Sequence, residues 1–153
     1  MQVQEQYEII SEPNRFRILS NGTTLAQVQV YVTDDDIQHI EVLTLEQSFL
    51  KSDFDLGMTI VPGLTRHLYL YDQPVASFTL KNLFTYECKT WQENAYIFEC
   101  VSNAIQVYRK SDHLLVAYMS KNIHNNHMYV TFKPECFEAM RLIIALFPCI
   151  RFN

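Results

Sequence analysis

The sequence predicts a mainly β (α+β) protein in which short antiparallel strands enclose one C-terminal helix. Apolar runs separated by polar turns recur about every 8–12 residues from residue 7 to residue 132, as in β-sandwiches and β-barrels. After residue 134 the hydrophobic period changes from 2 to 3.6, and residues 142–147 (LIIALF) contain no polar side chain. A helix that is apolar on every face is buried in a protein or in a membrane.

Composition narrows the classes of function. At 153 residues the chain most simply forms a single domain, residues 1–153, which is long enough to bury a full core. Three glycines in the whole chain argue against disorder and against a glycine-rich nucleotide loop. The formal net charge of −5 is a poor match for nucleic acid, so no nucleic-acid partner is expected.

The charge is distributed unevenly along the chain. Residues 1–80 carry eleven acidic and four basic side chains, whereas residues 81–153 carry six acidic and eight basic ones. The second half therefore has the charge for a basic patch, although scattered solvated charges are the more common outcome of such a composition.

The cysteines indicate the compartment. Cys88, Cys100, Cys136 and Cys149 form no C-x-x-C pair, and the start MQVQEQYEII lacks the basic and apolar regions of a signal peptide. We therefore expect a cytoplasmic protein with free, mostly buried thiols.

The first strands surround a hairpin turn. Tyr7–Ile10 is a short apolar run, and Arg15–Leu19 and Leu25–Val32 are the next two predicted strands. Asn21 and Gly22 lie between these two strands, and Asn-Gly favours a type I′ turn because both residues tolerate a positive φ. This pair predicts a β-hairpin.

The next region is less regular. Asp34–Asp36 is predicted as a solvated turn, because a calcium loop needs further oxygen ligands at fixed spacing. Ile37–Leu45 is predicted as a strand, and Glu46–Asp55 is compatible with either a short helix or a loop. The apolar run Met58–Val61 ends at the turn pair Pro62–Gly63.

From residue 64 the pattern alternates regularly between strand and turn. The predicted strands are His67–Tyr71, Val75–Leu80, Phe84–Thr90, Tyr96–Val101, Ala104–Tyr108, Leu114–Met119 and Met128–Phe132. The predicted turns between them include Asp72–Pro74, Trp91–Asn94, Arg109–His113 and Asn122–His127.

The helix is predicted at about Glu135–Phe147, with Pro134 near its start and Pro148 as its break. Spanning a bilayer takes about 20 apolar residues, so this run is too short to be a transmembrane segment. Burying its large apolar side chains contributes ~1.5–3 kcal/mol each. The core residues it predicts are Met140, Leu142, Ile143, Ile144, Leu146 and Phe147.

Candidate catalytic groups are sparse. His124 and His127 form an H-x-x-H pair, which could begin a metal site of a small metal-dependent enzyme. No Cys, Asp or Glu close in sequence completes a ligand set, so a polar turn is favoured. Asp53 and Asp55 could share one face of a strand as an acid–base pair, but nothing else marks them. We therefore predict no catalytic residue, no bound metal and no cofactor.

Two stretches carry a resemblance to a known family. AIQVYRKSDHLLVAYMS reads as strand, polar turn and strand, and MYVTFKPECFEAMRLIIALFPCI as a strand that passes through a proline into an apolar helix. Together they resemble the tubby C-terminal-like and LURP-one-related superfamily, and specifically a bacterial member of unassigned function. The resemblance covers about Arg15 to Phe152. It implies an antiparallel β-barrel wrapped around a buried hydrophobic helix at about Glu135–Phe147.

The resemblance implies a non-enzymatic binding or interaction domain with an unknown protein or lipid partner; it specifies no oligomeric state. Tubby domains bind phosphoinositides through basic residues on the barrel, so phospholipid-headgroup binding is the second hypothesis. No family residue matches by motif. The candidates for that hypothesis are the basic residues of the C-terminal half, Arg109, Lys110, Lys121 and Lys133.

Overall fold

A computed structural model describes residues 5–92, 94–125 and 127–152. Twelve antiparallel strands form a closed barrel in sequence order, with β1 pairing with β12 to complete the ring. The strands and the helix are β1 Glu5–Glu12, β2 Arg15–Ser20, β3 Thr23–Val32, β4 Ile37–Thr44, β5 Phe49–Asp55, β6 Thr65–Leu70, β7 Gln73–Asn82, β8 Thr85–Thr90, β9 Ala95–Val101, β10 Ala104–Arg109, β11 Leu114–Lys121, β12 Met128–Phe132 and α1 Glu138–Ile150.

The barrel has two distinct ends. Because all neighbouring strands are antiparallel, the connections alternate between the ends. We name the end that carries the turn 33–36 and the long connection 56–64 the upper end. The segment 133–137 leaves β12 at the lower end and leads into α1. The helix therefore enters at the lower end, and its C-terminus lies near the start of β6 at the upper end.

The helix lies inside the barrel. The interior of an eight-stranded barrel is just wide enough for its own side chains or one small ligand, and twelve strands enclose a wider space. The Phe147 ring centroid lies 4.5 Å from that of Phe98, 4.9 Å from that of Tyr86 and 5.8 Å from that of Phe78. These three rings belong to β9, β8 and β7. The prediction of an antiparallel barrel around a buried C-terminal helix is confirmed.

The bounds of the helix differ from the prediction. Cys136 donates its backbone N–H to Lys133, which makes residues 133–136 a separate turn, and α1 begins at Glu138. At the other end the helix continues through Pro148 to Ile150. Pro148 has no N–H to donate to the carbonyl four residues earlier, so the helix loses that hydrogen bond there, and it ends two residues later.

The burial of the helix is also less complete than predicted. Met140, Ile144, Leu146 and Phe147 are buried. The other two predicted core residues are half-buried and pack against the core: Leu142 and Ile143.

The predicted Asn-Gly hairpin is confirmed. Asn21 has a φ of 51° and Gly22 a φ of 80°, and they join β2 to β3. Tyr71 and Asp72 make a similar turn with φ values of 47° and 69°. The predicted turn Asp72–Pro74 is therefore wrong by about one residue, and Pro74 is already in β7.

The expectation of a helix or loop over Glu46–Asp55 is wrong, because most of this range is strand β5. Leu50 and Ser52 face the core and alternate with exposed Lys51 and Asp53, and this alternation is a strand pattern that charged residues obscure in the sequence. Residues 58–61 lie in the connection to β6 and are exposed. Two residues of the predicted turns, Glu93 and Asn126, are outside the described residues.

The contact between β5 and β6 is the shortest seam of the barrel. These strands pair at Leu50–Leu70 and Lys51–Tyr69, whereas other neighbouring strands pair over five or more positions. Toward the upper end the backbone pairing is replaced by the side chains of Ser52 and Arg66. This seam positions the candidate site.

Candidate functional site at the upper end of the barrel

A pocket of about 410 Å³ lies at the upper end, between the β5–β6 seam and the end of α1. We refer to it as the upper pocket. Its volume falls within the ~300–1,000 Å³ typical of small-molecule sites. Phe16, Val30 and Phe54 form much of its apolar wall, and Phe152 contributes from the segment that follows the helix. Buried Arg66 is the most unusual group in its lining.

Arg66 points into the barrel and is 2% exposed. Its Nε donates to Ser52 Oγ at 2.8 Å, and its Nη2 donates to the Ser52 carbonyl at 3.3 Å. Its Nη1 donates to Gln38 Oε1 at 2.8 Å and to the Ile150 carbonyl at 3.2 Å. The guanidinium carbon lies 5.5 Å from the centroid of the Phe54 ring. Arg66 thus fixes β5, β4 and the end of α1 around one cation.

The charge of Arg66 is only weakly compensated. All four of these hydrogen bonds go to neutral acceptors, although the Ile150 carbonyl is at the negative end of the helix dipole. Burial lowers the pKa of Arg66 to about 10, and the opposing effect of the Asp53 carboxylate is smaller. The Asp53 side chain is 57% exposed and bonds His39. Arg66 is therefore a buried cation at neutral pH in a site that favours an anion.

The other charged groups that line the upper pocket do not make its net charge negative. Arg15 and Arg151 also line it, with Glu12 as the carboxylate. Glu12 accepts hydrogen bonds from Arg17 at 2.6 Å and Arg15 at 3.1 Å, and these bonds, Arg17's above all, hold its pKa below the usual value. The charge of the Glu12 carboxylate is already balanced by these two arginines, so the inner pocket remains positive.

The upper pocket holds no activated nucleophile among the described residues that line it. Cys149 is buried there, and burial raises the pKa of its thiol to about 12. A thiol of this kind is not ionised at neutral pH and is a poor nucleophile.

A second charged cluster lies on the outer wall. Glu87 faces outward from β8 but is only 2% exposed, because lysine side chains cover it. Lys81 Nζ lies 3.5 Å and Lys89 Nζ 3.7 Å from its carboxylate, and Lys110 Nζ contacts it directly. The hydrogen bond from Lys110 is the main reason that the pKa of Glu87 is lowered. Three cations around one carboxylate leave a net positive surface.

The structure separates the four basic residues proposed from the sequence. Arg109, Lys110 and Lys133 lie at the lower end, and Lys121 lies at the upper end of β11. At ~3.3 Å per residue, the length of β11 puts roughly 23 Å between the two groups. Arg109 also bonds Asp112, with 2.6 Å between Nη2 and Oδ2. The structure therefore groups Lys110 with Lys81 and Lys89.

The histidine pair lies in a polar turn at the upper end. Asn122 and Asn125 accept the backbone N–H groups of His124 and His127. His127 Nδ1 lies 2.6 Å from Glu8 Oε2, because β1 and β12 are adjacent. Glu8 is far from the pair in sequence, and only the pairing of these strands brings it close. Within residues 5–92, 94–125 and 127–152, however, no three His, Cys, Asp or Glu side chains form a group that could hold a metal.

The aspartate pair on β5 is divided between two other partners. Asp53 Oδ1 lies 2.7 Å from His39 Nδ1 on the neighbouring strand β4. Asp55 Oδ1 accepts the backbone N–H of Gly57 at 2.8 Å. The two carboxylates therefore bind different partners and do not form a pair.

Sequence reasoning did not find Arg66, although a signal was present. Arg66 has the same strand parity as Leu68 and Leu70, so its side chain had to face the core with theirs. The predicted strand began two residues too late, at His67 instead of Thr65, and this start left Arg66 outside the alternation. For Glu87 and its lysines the sequence offers no comparable signal, since two strands, β7 and β8, and the turn after β10 bring them together.

The architecture defines a class: a closed twelve-stranded antiparallel barrel with a helix inside it. No family model matches the chain, and no curated protein matches it. Among solved structures it is similar to the crystal structure of Arabidopsis thaliana protein AT5G01750, with a TM-score of 0.64 and 15% identity. The match covers 97% of this chain and 92% of the plant protein. This likeness shows the fold alone. In the part of the chain that is described, no helix is both long and apolar enough to cross a membrane.

Proposed function

We propose that the protein is a non-enzymatic binding domain that takes a small anionic ligand in the upper pocket, with the negative charge beside Arg66. The observation that carries this proposal is the burial of the Arg66 guanidinium among neutral acceptors. A buried charge without a counter-charge is costly, and an anion binding here gains the interaction that the protein itself does not supply.

The geometry of Arg66 suits an anion better than a neutral molecule. A guanidinium has five N–H donors in a fixed fork, and the contacts described above hold that fork rigidly at the β5–β6 seam. A rigid donor set loses little entropy when a ligand binds. The high thiol pKa of Cys149 and the neutralised Glu12 support binding without catalysis.

Side-chain NMR tests this proposal without a mutation. Hexanoate is titrated into ¹⁵N-labelled protein, with inorganic phosphate as a second anion, while the arginine Nε–H signals are followed. We expect the Arg66 signal to shift saturably, because its Nε–H is buried and bonded to Ser52. The Arg109 signal, from an ion pair at the lower end, is the internal control and should not move. An Arg66 signal that neither anion shifts contradicts the proposal.

A second candidate function is phospholipid-headgroup binding on the outer wall. The observation that favours it is the convergence of Lys81, Lys89 and Lys110 on Glu87. This cluster includes Lys110 from the original set, and Arg109 and Lys133 extend it toward the lower end. Flotation with phosphatidylserine vesicles tests it. Salt-sensitive binding that is lost on changing all three lysines to glutamine is the expected result, and no binding at low salt counts against it.

We also propose that residues 1–153 form one cytoplasmic domain of the tubby C-terminal-like and LURP-one-related superfamily, from a bacterium. The barrel-and-helix architecture, which the family resemblance implies, supports the superfamily, and the four free cysteines support the compartment. Mass spectrometry of the protein from its native cells tests the compartment: oxidised pairs among these cysteines would contradict it.

A further inference from the structure

The connection between β5 and β6 places apolar side chains at the mouth of the upper pocket. Leu56, Met58 and Ile60 alternate along this segment, and all three line the pocket. They are 46%, 51% and 49% exposed. Large apolar side chains that stay half-exposed around a pocket mark a surface that binds something apolar.

These three residues continue the apolar wall of the upper pocket. Phe16, Val30 and Phe54 are partly buried, pack against the core and face the same space. The pocket therefore has two chemically distinct parts: a cation at its floor, where Arg66 meets the end of α1, and an apolar wall that extends to the mouth.

We infer that the ligand of the upper pocket is an amphiphile of the fatty-acid class, with one carboxylate beside Arg66 and a hydrocarbon chain along Leu56, Met58 and Ile60. This inference rests on the proposed function and names its ligand. A single negative charge fits because one buried guanidinium faces it, and the rim arginine Arg15 is already bonded to Glu12. Four of the five guanidinium N–H donors are bonded to the protein, so the carboxylate accepts a charge-assisted hydrogen bond from the remaining Nη2 N–H.

The surroundings of the mouth favour a free amphiphile over a lipid in an anionic bilayer. The acidic turn Asp34–Asp36 lies next to the connection, and the Leu56 backbone N–H bonds the Asp36 carbonyl at 2.9 Å. Three carboxylates beside the mouth repel an anionic membrane surface. A single soluble molecule that enters with its carboxylate first does not have to bring a charged surface close to them.

A chain-length series tests the inference. The dissociation constants of butanoate, hexanoate, octanoate and decanoate are measured by calorimetry, with the Arg66 Nε–H signal confirming the site. We expect the affinity to rise about fourfold per methylene, which is the fold-change that corresponds to ~0.8 kcal/mol per buried CH₂. From hexanoate to decanoate the gain is then on the order of 10²-fold.

A pair of matched variants locates the chain. Changing Leu56, Met58 and Ile60 together to serine should flatten the chain-length dependence while hexanoate still shifts the Arg66 signal. The control changes three other exposed apolar residues in turns at the same end, Leu83, Phe84 and Ile123, to serine. These do not line the upper pocket, and the control should bind decanoate like the wild type.

Each of the other possible results contradicts one specific part of the proposals. If hexanoate and decanoate shift Arg66 with equal affinity, the apolar seat is wrong and the anion site stands. If no alkanoate shifts Arg66 but phosphate does, the ligand class is wrong, and if neither does, both proposals fail. Flotation with phosphatidylcholine vesicles that decanoate does not compete away would assign the mouth to a lipid surface instead.

Discussion

Arg66 and Glu87 are both 2% exposed, yet the protein treats the two charges in opposite ways. Arg66 lies inside the barrel and bonds four neutral acceptors. Glu87 lies on the outer wall under three lysines. The cation is under-compensated and the anion is over-compensated. In both places the result is a positive potential, but the donor in the upper pocket is rigid and desolvated, whereas the lysines around Glu87 are exposed.

The difference in solvent access decides how strong each site is. The lysines around Glu87 are roughly half exposed or more, so water and salt screen their charges. Arg66 is screened by neither, because protein surrounds it and the helix end lies against it. We therefore expect specific binding at Arg66 and at most salt-sensitive surface attraction at Glu87.

The largest expected effect comes from introducing a charge inside the barrel that has neither hydrogen-bonding partners nor opposite charges around it. Ile144 is fully buried on α1, and Ile144→Asp should leave the protein insoluble or molten. The change loses ~1.5–3 kcal/mol of apolar burial and adds several kcal/mol for an unpaired buried ion. The total is comparable with a typical net stability of ~5–15 kcal/mol. Near-UV circular dichroism and thermal unfolding measure it.

The matched control for this variant is Phe137→Asp, at an exposed position just before the helix. It should fold, since a carboxylate at a helix N-terminus is favourable. A soluble Ile144→Asp protein that unfolds cooperatively at the wild-type temperature would show that α1 is not buried in the barrel.

A smaller effect is expected from removing the under-compensated cation. Arg66→Gln leaves acceptors at Ser52 and Ile150 without their donor, and it should lower the free energy of unfolding by ~1–3 kcal/mol. The loss is moderated because the desolvation of the charge disappears with it. Urea unfolding measures the change. The surface variant Arg109→Gln breaks an exposed pair and should cost at most ~1 kcal/mol. Equal effects of the two variants would mean that Arg66 does not anchor the helix end.

Removing the over-compensated anion should cost less again. Glu87→Gln is expected to lose about 1 kcal/mol at neutral pH, because each of its lysine partners is exposed. The lysines lower the pKa of Glu87 in the folded state, so its stabilising contribution is present above the unfolded value of ~4.3 and is lost as pH falls through the lower folded value. Wild type and variant should therefore converge in acid. A difference that persists at low pH would show that the ion pairs are not its cause.

The sequence predicted much of the fold because the fold depends on local patterns. Alternation gave most strands, Asn21 and Gly22 gave a hairpin, and the apolar run gave the helix inside the barrel. Strand β5 was missed because three of its four outward positions are charged and one of its inward positions is the polar residue Ser52. The closure of twelve strands into a ring depends on the pairing of β1 with β12, which no local pattern encodes.

The candidate site was much less predictable than the fold. The upper pocket is formed by residues from Glu12 to Phe152, brought together by the curvature of the whole barrel. The structural role of Arg66 depends on its hydrogen bond to the Ile150 carbonyl, which is 84 residues away in sequence. The basic residues were recognised by their charge, but charge gives no distance, so residues at opposite ends of β11 were grouped. The alternation of residues along a strand identifies which side chains face inward. Only the topology of the barrel shows which groups those side chains contact.

The smallest expected effect is a change in vesicle binding. It distinguishes the two ends of the barrel as candidate lipid-binding surfaces. Lys110→Gln removes the lysine that bonds Glu87 directly, and it should weaken low-salt flotation with phosphatidylserine vesicles about twofold to fivefold, as expected for ~1 kcal/mol per surface charge. Lys121→Gln removes the same charge at the upper end, where the acidic turn 33–36 already opposes an anionic surface, and it should change flotation little. Because both variants reduce the net charge equally, a general charge effect would lower both alike. A larger loss for Lys121→Gln would place the lipid-binding surface at the upper end of the barrel and would contradict its assignment to the lysines around Glu87.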